Sequence, residues 1–299
     1  MQQQALDHLG RIGELCAALA AHPAYGSQDQ SLDFNRLTEF DGEFWTFTRY
    51  LSLLLYQETT ALLAGQNEPI RQAPCIAVVM AVHRPDPQLL RLAIRSVLNQ
   101  IGIRVHLHLS LDGPEGNRPL VEQVLTELAV DPNQVSLHAH PDHRGVGLCR
   151  NAALATVQQD WFTFLDCDDL FHPLRSLHAW LALRSYSGLY LKTSYSRVSL
   201  RQGKIVMLQD RLSHAGGNSF LAHRQVLSEY GYLAPLRFWE DTEYQQRLHH
   251  FKAPMLTSSA VGHYQNTAVD PGYRSLGTRW RKEAHPIEGH PYLCGTCLL

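Results

Sequence analysis

The chain has 299 residues, of which 44% are hydrophobic and 18% charged, with a formal net charge of −2. That is enough chain for one large domain or two modest ones, and the near-neutral balance gives no footing for a general polyanion partner such as nucleic acid. The longest apolar stretches, residues 75–82 and 161–165, are strand-sized and far short of the ~18–20 residues of a membrane-spanning helix.

Met1 to Asp7 has no basic stretch leading into an apolar core, so no secretory signal is expected. The expected location is the cytosol, with a peripheral position beside a membrane, through a partner, as the alternative. Of the six cysteines only Cys294 and Cys297 lie close together, which argues against a disulfide framework. Residues 1–72 read as a helical extension: Leu6, Leu9, Ile12, Cys16 and Leu19 recur at three- and four-residue steps, as do Phe44, Phe47, Leu51 and Leu54. Such helices must cover their apolar faces on the neighbouring domain, on a partner or on a second copy.

From residue 73 the rhythm becomes strand, helix, strand, helix, and an α/β domain over residues 73–280 is expected. A continuous apolar strand over 75–82 is followed by Asp86-Pro87, a cap and first-turn pair that opens a helix to about residue 99. Ile103, Val105, Leu107, Leu109 and Leu111 alternate with polar residues, the period of a half-buried strand. A helix near 119–129, a strand at 135–139, a helix at 148–157 and a strand at 161–165 follow. This order implies a mainly parallel sheet with helices on both faces and ligands beyond the carboxyl ends of its strands. Further on, strands at 189–192 and 198–208 and a helix over 239–250 are expected, and residues 281–299 read as a tail.

The strongest chemical signal is the strand ending in Asp166-Cys167-Asp168-Asp169. Carboxylates crowded at a strand end repel one another unless a cation or donor hydrogens sit between them, and Mg²⁺ or Mn²⁺ takes such oxygen ligands together with substrate phosphates. The alternative is a solvated acidic turn before Pro173. Asp112-Gly113 ends a second strand and can accept from a base or ribose hydroxyl, or be a turn residue. Gly145 to Asn151 opens a helix whose N-terminus suits phosphate, with Arg150 adding charge-assisted bonds. Trp239-Glu240-Asp241 starts another helix, where an acid is favoured by the dipole and can act as a general base. His263 is a candidate imidazole ligand.

Taken in order, residues 78–84, Asp112-Gly113, Gly145 to Asn151, Asp166 to Asp169, Gly216-Gly217-Asn218 and Trp239-Glu240-Asp241 resemble family 2 glycosyltransferases, inverting enzymes of the GT-A fold, over about residues 75–267. The resemblance implies a hexosyltransferase-like enzyme acting on a nucleotide-sugar donor, UDP-linked by family habit. Ala81, Val82, His83, Asp86, Asp112, Arg150, Asp166, Cys167 and Gly217 would bind the donor. Asp168, Asp166 and His263 would hold Mn²⁺ or Mg²⁺ (the DxD motif), and Asp241, with Glu240 beside it, would supply the base. The acceptor class is a glycan, a lipid-linked molecule or a protein. Ala81 and His83 stand where the family usually has Pro and Tyr. Gly277-Thr278-Arg279-Trp280 lacks the Gln of the processive synthases, so non-processive transfer is expected.

Two other classes compete. A sugar-phosphate nucleotidyltransferase would place a glycine-rich basic loop after the first strand, where this chain has His83-Arg84-Pro85-Asp86. A non-catalytic binding or scaffold protein would work through its N-terminal helices. His285, His290, Cys294 and Cys297 have donors suited to zinc at an unusual spacing. His106, His108, His138 and His140 read as hydrogen-bonded sheet residues.

Overall fold

A computed structural model describes residues 39–40, 49–66, 73–201, 204–207, 219–236 and 239–266. The helix expected around residues 6–19, Gly216 to Asn218, the Arg279-Trp280 segment and the His/Cys tail lie outside the described residues. The order of elements is β1 (Glu39–Phe40), α1 (Arg49–Ala64), β2 (Cys75–Val82), α2 (Pro87–Leu98), β3 (Arg104–Leu111), α3 (Arg118–Glu127), β4 (Val135–Ala139), α4 (Val146–Leu154) and β5 (Trp161–Phe164). Then come β6 (Leu170–Phe171), α5 (Arg175–Tyr186), β7 (Tyr190–Arg201), β8 (Lys204–Met207), β9 (Phe220–His223), α6 (Gln225–Tyr230), α7 (Glu240–His250) and β10 (Met255–Asn266).

One mixed sheet runs in the order β1-β8-β7-β9-β5-β2-β3-β4, with β10 pairing both β6 and β7. The part built from β2 to β5 is parallel: β2 pairs β3 from Cys75↔Arg104 to Val82↔Leu111 and pairs β5 on its other side, and β4 continues beyond β3. β9 joins β5 and β7 antiparallel, while β10 runs parallel to β7 and antiparallel to β6.

β2 is a near-continuous apolar run because both its faces are covered. Val78, Met80 and Val82 pack with Leu90, Ala93, Ile94 and Val97 of α2, and Ala77 and Val79 pack on the opposite face with Ala153, Leu154 and Phe162. The α2 residues fall at steps of three and four, the core stripe of an amphipathic helix. Asp86 caps that helix by accepting from the Gln88 and Leu89 amides, each at 2.9 Å, and Pro87 fills its first turn.

A third cluster lies where α1 meets α5 and β10. Leu55 is fully buried there among Leu174, Leu177 and Leu181, which contributes about 1.5–3 kcal/mol. His178 Nε2 meets Glu58 Oε2 at 3.0 Å and the Gln66 amide donates to Ser185 Oγ at 2.8 Å. In α5, residues 175–183 are buried without a break, so no helical stripe marks it in the sequence. Arg175 fixes this region by donating to Thr163 Oγ1 and the Phe220 carbonyl under the Phe171 ring. A Cβ on Gly262 would stand 2.8 Å from the Arg175 side chain, so glycine is what lets β10 approach at this point and set His263 in place.

On β3 and β4 the alternating polar positions pair with one another across the strands. They form a ladder: His106 with Ser136, His108 with His138 and Ser110 with His140, at 2.9, 3.2 and 2.9 Å.

Candidate active site

The carboxyl ends of β2, β3 and β5 open on one edge of the sheet. At the end of β3, Asp112 is buried and aimed at the loop before α4. Its Oδ1 accepts from the Arg144 amide at 2.6 Å and its Oδ2 from the Gly145 amide at 3.1 Å, while His143 Nδ1 lies 2.8 Å from Oδ2. Burial alone would raise its pKa, but those amides, the Cys149 thiol and His143 outweigh it and hold Asp112 below the usual carboxylate range. Gly113 makes the close approach feasible: its φ is +68° and a Cβ would stand 2.8 Å from His143 N. The His83 ring, just past β2, lies 4.6 Å from the His143 ring.

Beyond β5 the environment is the opposite. Burial and two neighbouring acids push Asp168 well above the usual range, and burial and Asp166 do the same to Asp169. Asp169 Oδ2 meets His263 Nε2 at 2.8 Å, and its Oδ1 accepts from the Asn266 amide at 2.8 Å. β10 thus brings His263 to the cluster, where it pairs with Asp169. Among the described residues the Asp168 carboxylate has no cationic partner. An acid in that position, with Asp166 and Asp169 beside it, suits a hard divalent cation.

Arg150 ties this cluster to α7. It is 1% exposed, sits over the Phe164 ring at 4.7 Å, and reaches Asp166 Oδ1 at 2.5 Å and Glu240 Oε1 at 2.8 Å. Burial opposes its charge, and Asp166 and Glu240 more than restore it, so its pKa is raised. Arg150 is therefore an internal bridge rather than a side chain free to meet phosphate. Glu240 is buried against Gly147, whose added Cβ would stand 3.1 Å from Glu240 Cγ. Burial and Asp241 push it up to about 7 against the pull of Arg150. Asp241 is only partly buried and its Oδ1 accepts from Thr242 N at 2.5 Å and Thr242 Oγ1 at 3.2 Å, so of the two acids it is the more accessible. Trp239, which caps α7, has φ +70° and is 36% exposed. A non-glycine residue held there costs about 1–3 kcal/mol, and such outliers cluster at functional sites.

The structure thus brings Asp112, Asp166, Asp168, Asp169, Arg150, Glu240, Asp241 and His263 into one connected region, with Ala81, Val82 and His83 at the end of β2 and Cys167 inside the acid turn. Asp86 is an exposed helix cap with its carboxylate engaged by two amides. Gly217 lies outside the described residues. Sequence reasoning missed His143, which has no signal beyond standing two residues before Gly145, and the Asp169–His263 pair, whose partners are 94 residues apart. A cleft of about 530 Å³ lies at the other end of the sheet, lined by Cys75, Arg104, Trp161 and Trp180. It has none of these acids.

Residues 77–195, from β2 into β7, match the family model for glycosyl transferase family 2. Over these residues the chain is similar to that family. The matched segment contains Asp112, Arg150 and the acid turn, while Glu240, Asp241 and His263 lie beyond it. Two solved structures share the fold: Staphylococcus aureus TarS 1–349 in complex with UDP, 13% identical, and TarS 1–349 alone, 14% identical. Each has a TM-score of 0.50 and covers 64% of this chain. The chain spans 60% of the length of each of these structures, and at such identity the likeness is one of fold. No curated protein matches the chain. No described helix is long and apolar enough to cross a membrane.

Proposed function

We propose that the chain is a metal-dependent, inverting glycosyltransferase that moves a sugar from a nucleotide-sugar donor to an acceptor hydroxyl without processive elongation. The observation that carries this reading is the Arg150 bridge, which fixes the acid turn after β5 and the Glu240-Asp241 helix start in one frame. Donor-side and acceptor-side groups are thereby held in register, the condition under which positioning lowers a barrier. We take the donor to be UDP-linked, on the likeness in fold to a protein whose crystal structure holds UDP.

In this reading Asp112, kept anionic by backbone amides, accepts from the nucleoside, and the end of β2 forms the wall beside it. Asp168 and Asp166 would hold Mn²⁺ or Mg²⁺, with His263 supporting them through Asp169, and a cation there offsets charge building on the leaving diphosphate. Asp241 takes the proton of the acceptor hydroxyl as the oxygen attacks the anomeric carbon and the bond to the diphosphate breaks. Attack from the face opposite the leaving group inverts the centre. Glu240 is held by Arg150 and orients the start of α7. We place residues 1–72 as an extension, 73–280 as the catalytic domain and 281–299 as a tail, acting in the cytosol on a glycan, lipid-linked or protein acceptor.

The test is a panel of nucleotide sugars, with and without Mn²⁺, read by thermal shift and by sugar transfer for the wild type and for Asp241→Asn and Glu240→Gln. Asp241→Asn should keep donor binding and lose transfer by about 10²–10⁴-fold, the usual worth of a general base. Transfer at the wild-type rate in that variant would move the base elsewhere.

A further inference from the structure

Apart from the acid turn, one group of three metal-competent side chains converges at the same edge among the described residues. His83, Asp112 and His143 each offer one ligand atom, and the three atoms lie within 4.8 Å of one another. They come from three different segments: the residue after β2, the end of β3 and the loop before α4. His143 Nδ1 is already 2.8 Å from Asp112 Oδ2. His83 Nδ1 is buried and has no hydrogen-bond partner, a cost that a folded protein rarely carries without a reason.

We propose that His83, Asp112 and His143 form a binding site for a borderline transition-metal ion of the Zn²⁺ class, separate from the acid turn. Two imidazoles and one carboxylate are the donor set of zinc sites with an open fourth position, and they discriminate against Mg²⁺, which prefers oxygen. Ligand bonds of about 2.0–2.2 Å put donor atoms roughly 3.3 Å apart in a tetrahedron. The closure from the present spacing falls to His143, whose side chain is 58% exposed on a loop. The Arg144 and Gly145 amides already orient Asp112, the outer support that metal-ligating carboxylates usually have.

A consequence follows that rests on the proposed function. Asp112 is the group assigned to the nucleoside, so the ion and the nucleoside compete for one carboxylate. Zinc-class ions then act as an inhibitory ligand of the donor site, while Mn²⁺ or Mg²⁺ at the acid turn does not.

The experiment uses the full chain, freed of metal, titrated with Co²⁺ and followed by its visible d–d absorption and by calorimetry with Zn²⁺. Wild type, His83→Ala, His143→Ala, His143→Gln, Asp168→Asn and a Cys294→Ser/Cys297→Ser variant are compared. One equivalent with a tetrahedral spectrum should be lost, or weakened at least about 100-fold, in the His83 and His143 variants. Loss of an outer partner alone costs about 10–100-fold. The same equivalent should persist in Asp168→Asn and in the cysteine variant. His143→Gln covers the case in which an alanine variant misfolds, since an exposed loop tolerates it. UDP affinity at buffered free Zn²⁺ should fall at least tenfold in wild type and be insensitive to Zn²⁺ in His143→Ala. Unchanged stoichiometry and spectrum in all three histidine variants overturn the site whatever UDP does. A lost Co²⁺ equivalent together with no UDP binding to the metal-free chain upholds the site and overturns the nucleotide reading.

Discussion

Asp112 and Asp168 sit at the ends of two strands of the same parallel sheet, flanking β2 on either side, and their surroundings push them in opposite directions. Asp112 looks into two backbone amides and a histidine and is held anionic by fixed donors. Asp168 looks into two more acids and is driven toward its neutral form. Burial penalises both charges; at Asp112 fixed donors outweigh it, and at Asp168 the neighbouring acids add to it. A carboxylate cradled by amides is a finished hydrogen-bond acceptor. A carboxylate crowded by acids is unfinished, and becomes a stable anion only when positive charge arrives.

The contrast can be broken hardest at Arg150, which neutralises one edge of the acid turn. Arg150→Met leaves Asp166 and Glu240 without their common partner, and removing one member of a buried ion pair costs about 3–5 kcal/mol. Chemical denaturation should report a loss of that order, with Arg150→Lys losing less. If Arg150→Met is as stable as wild type, the bridge is not holding the two segments together.

A matched pair of substitutions sharpens the contrast. Asp112→Asn replaces an amide-cradled anion and should destabilise the metal-free protein by about 1.5–3 kcal/mol, the range for hydrogen bonds to a charged group. Asp168→Asn relieves like-charge crowding, so it should leave the metal-free protein as stable or more stable. Mn²⁺ should raise the Tm of the wild type, and Asp168→Asn should abolish that rise. Equal destabilisation by both changes in unfolding curves recorded with chelator would show that the two environments do not differ.

The smallest effect is a pH slope. Folding raises Glu240 from 4.5 to about 7, so the native state holds its proton more tightly than the unfolded chain. That contribution is fully present below about pH 4.5 and is lost as pH climbs through about 7. Glu240→Gln should flatten this part of the Tm–pH curve between pH 4.5 and 7. An unchanged slope would assign the dependence to other acids.

Much of the parallel half was legible because local signals agree there. Asp86-Pro87 caps a helix whose apolar residues fall on one stripe, and β2 is apolar on both faces. The acid turn was legible for the same reason, since an apolar strand that stops in three carboxylates is unusual in a structural turn. The later half was harder to read. α5 is buried all round and shows no stripe, and β10 is rich in small and polar residues because β6, β7 and the Arg175 side chain crowd it. The roles of Arg150, His143 and His263 depend on partners 90, 31 and 94 residues away, Glu240, Asp112 and Asp169, which no local pattern encodes. The alternation in β3 pointed to a strand, and its polar residues from His106 to Ser110 also bond to side chains on and just beyond β4.

α1 ends before the matched segment begins, yet Leu55 shares a core with Leu174, Leu177 and Leu181, and Glu58 and Gln66 reach α5. Likeness in sequence and sharing of a core therefore draw the unit's edge in different places, at residue 77 and at or before residue 49. The second edge is the one a fusion joint, a tag or a protease site must respect. A chain begun at Ala73 would turn the α1 side of α5 toward water, and bare apolar faces of that kind drive self-association.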